Sequence, residues 1–276
     1  MAGRPRFEGK VAVVTGASGG LGRALCGQLA DEGAALGLLD LAGDPLEELQ
    51  RDLRARGATT WAADCDVTDE AACQRGIDSL VSRLGGMDVL INNAGITQRS
   101  PFATTDTAVY RRVMDVNFFG SLHCTRAALP HLIERRGQIG VISSVAGLAP
   151  LLGRSGYAAS KYALRGFFGS LQAELRADGV GVSMIYPAFI DTGLEHRALG
   201  GDGQVTDHPQ SRVGQAMTAS QAAAAIVGAL DRRQRHVVLG RVGHVSRMLS
   251  AHWPGLYERI MARALRDELE RSSARG

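Results

Sequence analysis

Residues 10–22 read "KVAVVTGASGGLG". A β-rich apolar run ends in Gly16, three more glycines follow within six residues, and an amphipathic segment over 20–32 starts at once. Continuous rather than alternating hydrophobicity marks a strand buried on both faces, as in a parallel sheet covered by helices. The glycines let backbone approach a pyrophosphate, while the helix start supplies unpaired N–H groups and positive potential. Gly16, Ser18, Gly20, Leu21 and Gly22 are therefore candidate cofactor-binding positions. A ligand-free glycine turn would carry the same letters; the strand–turn–helix context favours the nucleotide.

Six further runs of the same kind follow: "AALGLLD" (34–40), "TTWAADCDV" (59–67), "MDVLINNAG" (87–95), "GQIGVISS" (137–144), "GVGVSMIYP" (179–187) and "RHVVLG" (235–240). Helix-length segments separate them, near 20–32, 45–56, 69–84, 106–135, 157–177 and 219–232. This alternation predicts an α/β fold: a Rossmann-type, doubly wound, seven-stranded, mostly parallel sheet with helices on both faces. No linker or repeat divides the chain, so residues 1–276 are expected to form a single dinucleotide-binding and catalytic domain. The stretch 188–218 lacks clear periodicity and is expected to be a substrate lid loop. Residues 243–276 are expected to form a C-terminal helical extension, with Val245, Met248, Leu249, Trp253, Leu256 and Ile260 as an apolar stripe. Such a stripe fits packing over the substrate mouth or a partner subunit better than a membrane surface, because acidic residues dilute its positive face.

The second strand ends at Asp40, eighteen residues after Gly22. An acid near that offset reaches the adenosine ribose hydroxyls and repels a 2′-phosphate. No Arg or Lys follows it closely, and Ser18 and Gly19 bring no positive charge to the turn, so the charges favour NAD over NADP.

Further along, "YAASK" (157–161) places a phenol and an ammonium four residues apart, with Tyr162 directly after. Residues i and i+4 share a helix face, whereas i and i+1 diverge by about 100°. Lys161 can therefore share a site with Tyr157 but not with Tyr162, which is expected to pack. A free phenol has a pKa of about 10, and a nearby cation lowers it toward a working acid/base. A surface contact is the plainer alternative for this pair taken alone. Ser144 ends a buried run thirteen residues before Tyr157, and Ser143 points the other way by the two-residue strand period. Asn117 sits in the apolar stretch "VMDVNFFG", where a buried amide needs a partner.

Composition narrows the remaining classes. Hydrophobic residues are 45% and charged ones 21%, ordinary for a globular protein, while 35 glycines exceed the usual share of about 7%. The net charge is +3, with basic residues alternating with acids, which speaks against nucleic-acid binding. Cys26, Cys65, Cys73 and Cys124 lack CxxC spacing, so reduced thiols, no metal and a cytoplasmic setting are expected. "MAGRPRFEGK" has no apolar signal core, and no apolar run is long enough to span a membrane.

With "TGASGGLG" (15–22), "NNAG" (92–95), Asn117, Ser144 and "YAASK" in this order, the chain resembles the short-chain dehydrogenase/reductase family, in its shorter single-domain branch. The resemblance covers about the first 195 residues. It implies an oxidoreductase that moves a hydride between NAD(H) and a secondary alcohol or ketone, with Tyr157 as general acid/base. Lys161 would lower the phenol's pKa and bind the nicotinamide ribose. Ser144 would orient the substrate oxygen, and Asn117 would maintain a water relay unless its bond is purely structural. Asp66 and Val67 would meet adenine, Asn93, Ala94 and Gly95 would line the cofactor, and Pro187, Ile190 and Thr192 would meet the nicotinamide carboxamide. Ala188 departs from the family's usual glycine there. Apolar Phe102, Leu148, Leu151, Leu152, Phe189, Leu194 and Leu199 suggest a fairly hydrophobic substrate. Relatives usually pair through the helices at 106–135 and 157–177, so a homodimer or homotetramer is implied. The alternatives are an NADP-dependent carbonyl reductase, a non-catalytic NAD(P)-binding sensor and, from the extended branch, a sugar-nucleotide epimerase, whose GxxGxxG turn differs from the GxxxGxG found here.

Overall fold

In the computed structural model, which describes residues 5–206 and 215–264, the run after Lys10 forms β1 (Val11–Thr15), buried at every position. The strands β2 (Ala35–Asp40), β3 (Thr60–Asp64), β4 (Val89–Asn92), β5 (Gln138–Ile142) and β6 (Gly181–Pro187) follow in turn. A two-residue pair, β7 (Ile190–Asp191) with β8 (Met217–Thr218), precedes β9 (His236–Leu239). The main sheet has the order β3-β2-β1-β4-β5-β6-β9, and every neighbouring pair is parallel. All seven expected strands lie in it.

Helices α1 (Gly20–Asp31), α2 (Asp44–Ala55), α3 (Glu70–Leu84), α4 (Thr107–Met114), α5 (Gly120–Arg135), α6 (Ser155–Glu174) and α7 (Ala219–Asp231) cover the two faces. One core lies under α1, α2 and α7, with Leu25, Leu29, Leu49, Ile226 and Leu230 against Val14 and Ile91. The other lies under α3, α5 and α6, with Ile77, Leu80, Leu132 and Phe168 against Val13 and Leu90. Local chemistry sets the ends. Asp69 accepts from the N–H groups of Ala71 and Ala72 at the start of α3, and Thr218 with Gln221 forms a reciprocal cap on α7.

Three expectations change. The segment 106–135 is not one uniform helix: a π turn, Asp115–Phe119, joins α4 to α5. Its extra residue brings Asn117, with no exposed surface, inward against the loop after β4. The stretch 188–218 is not structureless. Besides β7 and β8 it contains a short turn at Leu194–Arg197, and Leu199 bridges to both Gln98 and Val205. Buried Leu199 leaves its peptide groups no water, so it donates to the Thr97 carbonyl and accepts from the Arg99 N–H. Tyr162 does not pack but is 40% exposed, because the turn that buries Lys161 points its neighbour outward. Residues 207–214 of the expected lid lie outside the described residues.

The tail forms α8 (Arg241–His252) and α9 (Pro254–Ala264), and its residues 265–276 lie outside the described residues. Tyr257 and Met261 bury against Ala149, with Leu151 and Leu249 packed on them, and the Tyr257 hydroxyl donates to the Pro150 carbonyl at 2.9 Å. Of the expected stripe only Leu249 joins this docking contact, whose buried members Tyr257 and Met261 lie outside it. Within that stripe Val245, Met248, Trp253, Leu256 and Ile260 stay exposed. Among the described residues, no helix is long and apolar enough to cross a membrane.

Candidate functional site

The winding of the chain reverses between β1 and β4, so a crevice opens beyond the carboxyl ends of these strands. Gly16 leaves β1 with φ 64°, a left-handed conformation that L side chains rarely adopt, and a Cβ there would lie 2.8 Å from Ala94 Cα. Thr15 Oγ1 accepts from the N–H groups of Asn93 and Ala94, both at 3.0 Å, and Asn93 Nδ2 donates to the carbonyls of Thr15 and Gly16. The two motifs are thereby locked together. A Cβ on Gly22 would strike the Gly16 carbonyl and lie 2.7 Å from the Ala17 oxygen. A Cβ on Gly20 would instead strike the Thr192 carbonyl, at the start of the lid. The turn is a cradle that side chains would fill, which suits a pyrophosphate approaching bare backbone.

Asp40 ends β2 beside this turn. Its Oδ2 accepts from the Ser18 N–H at 2.8 Å and the Ser18 hydroxyl at 2.6 Å, and its Oδ1 caps the Leu41 N–H. Its carboxylate therefore lies beside the glycine turn on the lining of the cleft. Positive charge does reach the turn, contrary to expectation, because it arrives through space. Arg23 Nε donates to the Ser18 carbonyl and its Nη2 pairs with Glu48. Arg197, from the lid, brings Nη2 to 3.8 Å from where a Gly19 Cβ would be.

Ser144, Tyr157 and Lys161 converge on the same cleft wall. The Ser144 hydroxyl accepts from the Ala146 N–H at 3.1 Å and lines the cleft together with Tyr157. Ser143, as expected, turns away, and its hydroxyl donates to the Lys161 carbonyl. Lys161 is buried; its Nζ donates to the Ile142 carbonyl at 2.9 Å and lies 5.5 Å from the Tyr157 ring centre. Burial pushes its pKa down to about 8. Burial pushes the Tyr157 phenol up, opposed by the Ser144 hydrogen bond and by the charge of Arg154. Lys161 thus stands beside the phenol while its ammonium also holds the Ile142 carbonyl.

The Asn117 side chain is held by three hydrogen bonds. Its Oδ1 accepts from the Ile96 N–H at 2.8 Å, and its Nδ2 donates to the Ile96 carbonyl and the Ser160 hydroxyl. Ser160 in turn donates to the Tyr157 carbonyl at 2.7 Å, so Asn117 ties the loop after β4 to α6. A Cβ on Gly95 would sit 3.1 Å from Asn117 Oδ1 and 3.6 Å from Lys161 Nζ, so a side chain there would crowd the amide.

The cleft has a volume of about 700 Å³. Asp66 and Val67 line one end; Asp66 caps Thr68, and the Val67 carbonyl contacts His123 Nδ1 at 3.0 Å. Beneath them Cys73 Sγ lies 3.8 Å from Cys65 and 3.5 Å from Cys124, all free thiols. Pro187, Ile190 and Thr192 line the other end. Ala188 joins them without a positive φ, its methyl facing Gly240, so the replacement of glycine is accommodated. Of the apolar residues expected in the pocket, Leu151, Phe189 and Leu194 form part of the wall. Phe102 is 80% exposed on a surface turn, Leu148 and Leu199 are core, and Leu152 faces outward. Sequence reasoning missed Thr15, Arg99, Arg154 and Arg197. Their types are common on surfaces, and only the fold brings Arg99, Arg154 and Arg197 to the cleft and Thr15 against Asn93 and Ala94. Among the described residues no group of three or more His, Cys, Asp or Glu is placed to hold a metal ion.

Comparison with known proteins agrees with this geometry. The family described as short chain dehydrogenase matches residues 10–200. Dehydrogenase/reductase SDR family member 7B of Bos taurus is 36% identical over 273 residues, covering 96% of this chain and 84% of its own. The 11-beta-hydroxysteroid dehydrogenase 1A of Arabidopsis thaliana is 36% identical over 239 residues, covering 83% of this chain and 68% of its own. A short chain dehydrogenase/reductase from Burkholderia phymatum, solved in complex with NAD, superposes with a TM-score of 0.81 at 27% identity, covering 91% of this chain and 96% of that one. The glycine cradle locked onto "NNAG", the Ser144–Tyr157–Lys161 wall and the family match over most of the chain converge: this protein belongs to the short-chain dehydrogenase/reductase family.

Proposed function

We propose that the protein is an NAD-dependent oxidoreductase interconverting a secondary alcohol and its ketone, with Tyr157 as general acid/base. The observation that carries this reading is the meeting of Ser144, Tyr157 and Lys161 on one wall of the cleft that also holds the glycine cradle. NAD, when bound, supplies the hydride acceptor. The residues that would hold it are the cradle Gly16–Gly22, Asp40 at the ribose, Asp66 and Val67 at adenine, Asn93–Gly95 along its length, and Pro187, Ile190 and Thr192 beyond. Tyr157 Oη takes the alcohol proton or returns it to the ketone oxygen, and Ser144 holds that oxygen in line by a second hydrogen bond. Lys161, at the base of the wall, binds the nicotinamide ribose. Asn117 positions Ile96 and, through Ser160, the helix that bears Tyr157.

NAD rather than NADP follows from the Asp40 carboxylate at the ribose edge. A fairly apolar substrate follows from Leu151, Phe189 and Leu194, and the hydroxysteroid named for the plant relative is a secondary alcohol on an apolar skeleton. Residues 188–218 act as the lid of one catalytic unit. Phe119 on the π turn and Tyr162 on α6, both exposed, fit pairing of two copies through these helices. The buried free thiols fit a reducing, cytoplasmic setting.

The test is a panel of secondary alcohols, run with NAD and NADP side by side by NADH absorbance. Turnover of apolar alcohols with NAD is expected. Tyr157→Phe should lower turnover by about 10²–10⁴-fold while NAD binding persists, and Tyr162→Phe should be silent. Wild-type turnover in Tyr157→Phe refutes the mechanism.

A further inference from the structure

We infer that Gln98 is a positioning residue for Tyr157: its side chain holds the Tyr157 peptide N–H and so sets the phenol against the loop after β4 that lines the cleft. The inference rests on the reading of Tyr157 as acid/base.

Three observations carry it. The first is a gap at the start of α6. The N–H groups of a helix's first turn have no intrahelical acceptor, and Arg154 at the N-cap makes no side-chain cap. Gln98 supplies an acceptor from another element: its Oε1 accepts from the Tyr157 N–H at 3.4 Å. The approach is close, since a Cβ on Gly156 would lie 3.5 Å from the same oxygen. The second is that the amide is aimed from its other end. Gln98 has no exposed surface, and its Nε2 donates to the Ser100 carbonyl at 3.0 Å and the Gly153 carbonyl at 3.4 Å. The amide cannot turn over without setting oxygen against two carbonyls, so Oε1 stays turned to Tyr157. The third is the mount. Asn117 holds both the N–H and the carbonyl of Ile96, two residues before Gln98. On either side of Gln98, Leu199 donates to the Thr97 carbonyl and accepts from the Arg99 N–H.

The Tyr157 carbonyl accepts from Ser160, which is itself bonded to Asn117. With Gln98 on the N–H, both peptide groups of Tyr157 are tied to the segment that runs on from Asn93, Ala94 and Gly95 on the cleft lining. Such a tie fixes where the phenol stands without touching the reacting atoms. Its loss should therefore slow the chemical step more than it weakens binding.

The test pairs a readout of the bond with one of the reaction. Amide hydrogen exchange is followed by NMR on the full chain without cofactor or substrate, at Tyr157 and, as a control, at Leu164 farther along α6. Gln98→Met keeps the length and loses both polar ends; it is expected to speed exchange at Tyr157 about tenfold and to leave Leu164 unchanged. Gln98→Glu, whose carboxyl keeps an acceptor in place, should retain most of the protection. In the alcohol panel Gln98→Met should lower kcat about tenfold with KM for alcohol and NAD unchanged, and Gln98→Glu should recover part of that loss. Unchanged Tyr157 exchange in Gln98→Met overturns the proposal. So does an equal loss of protection in Gln98→Glu, which would indicate packing rather than the acceptor, and so does a rise in KM with kcat unchanged. Should Gln98→Met not fold, Gln98→Leu replaces it, and failure of both to fold overturns the proposal in favour of a structural role. A chain that turns over none of the alcohols counts against the proposed function, while the exchange at Tyr157 still reads whether Gln98 holds it.

Discussion

At the β1 end of the cleft, backbone meets backbone: Gly16 against Ala94, Gly22 against the carbonyls of its own turn. At the lid end, contact is made by side chains and by backbone arriving from far along the chain: Thr192 over Gly20, Arg197 near Gly19, Leu199 paired with Thr97 and Arg99. Two glycines two letters from each other in one motif, Gly20 and Gly22, are thus needed for different reasons. Gly22 is required by the turn itself, and Gly20 by the lid that lies on it. One half of the cleft is set by the turn itself, and the other is assembled from contacts made at long range.

That difference is open to attack with one methyl group. Gly22→Ala places its Cβ against carbonyls that cannot move without unmaking the turn, so we expect a loss of about 3 kcal/mol in stability together with NAD binding. Gly20→Ala meets the Thr192 backbone and not its own turn; stability should fall by less, while NAD affinity drops as that segment is displaced across the cradle. Gly166→Ala, in α6 with nothing within 4 Å, should stabilise by about 0.5–1 kcal/mol. Urea unfolding and NAD fluorescence titration separate the three. Equal stability losses for Gly20→Ala and Gly22→Ala would erase the distinction.

The base of the wall predicts a pH dependence. Below pH 8 Lys161 is charged whether folded or unfolded, and the folded chain bears the whole cost of its burial. From about 8 up to the ordinary value of 10.5 the folded side chain has lost its proton while the unfolded one keeps it, so stability rises with pH. Full recovery is on the order of 3 kcal/mol. Above pH 10 the buried phenols reverse the trend: Tyr257 is pushed up to about 12, so unfolded tyrosines ionise first. Urea unfolding from pH 7 to 10 should show the rise in the wild type and a flat profile in Lys161→Met. A parallel rise in that variant would assign it elsewhere.

These contrasts also explain what could be read from the letters. All seven sheet strands were legible, because strands covered on both faces must be continuously apolar, as in "VAVVT" and "VLIN". Tyr157 was separable from Tyr162 by helix period alone, and Gly16 by its place after a strand. The π turn was not legible: "DVNFF" has no composition that distinguishes it from α-helix, and its cause is a partner, Ile96, on another element. Arg154 and Arg197 were invisible for the same reason, since an arginine in a loop has nothing in its neighbours to say that it lines a cleft. Local sequence specifies what backbone must do; the chemistry that reaches across the cleft is decided by long-range contact.

Cofactor choice tests one such contact. Asp40→Ala removes the acceptor of Ser18 and the charge at the ribose, so the preference for NAD over NADP should fall roughly tenfold, near 1.4 kcal/mol. Arg197→Ala should weaken both dinucleotides alike by a smaller factor, since its guanidinium lies over Gly19, beside the shared pyrophosphate site. If Arg197→Ala impaired NADP alone, the lid would be reading a 2′-phosphate, and the NAD assignment would be reversed.

The smallest effect concerns the tail. Tyr257 buries its ring beside Ala149 and donates to Pro150, and the next residue, Leu151, is part of the cleft wall. Tyr257→Phe removes one buried hydrogen bond and leaves the ring, so the Pro150 carbonyl loses its partner at a cost of about 1 kcal/mol, or ~2 °C in Tm. Thermal unfolding reads that directly. KM then decides what the docking is for. If α9 merely covers the apolar core edge, KM for the best alcohol stays at the wild-type value. If it sets the position of Leu151, KM rises with kcat unchanged, because a displaced wall weakens ground state and transition state equally. The second outcome would extend the long-range half of the cleft to the tail, and the first would end it at the lid.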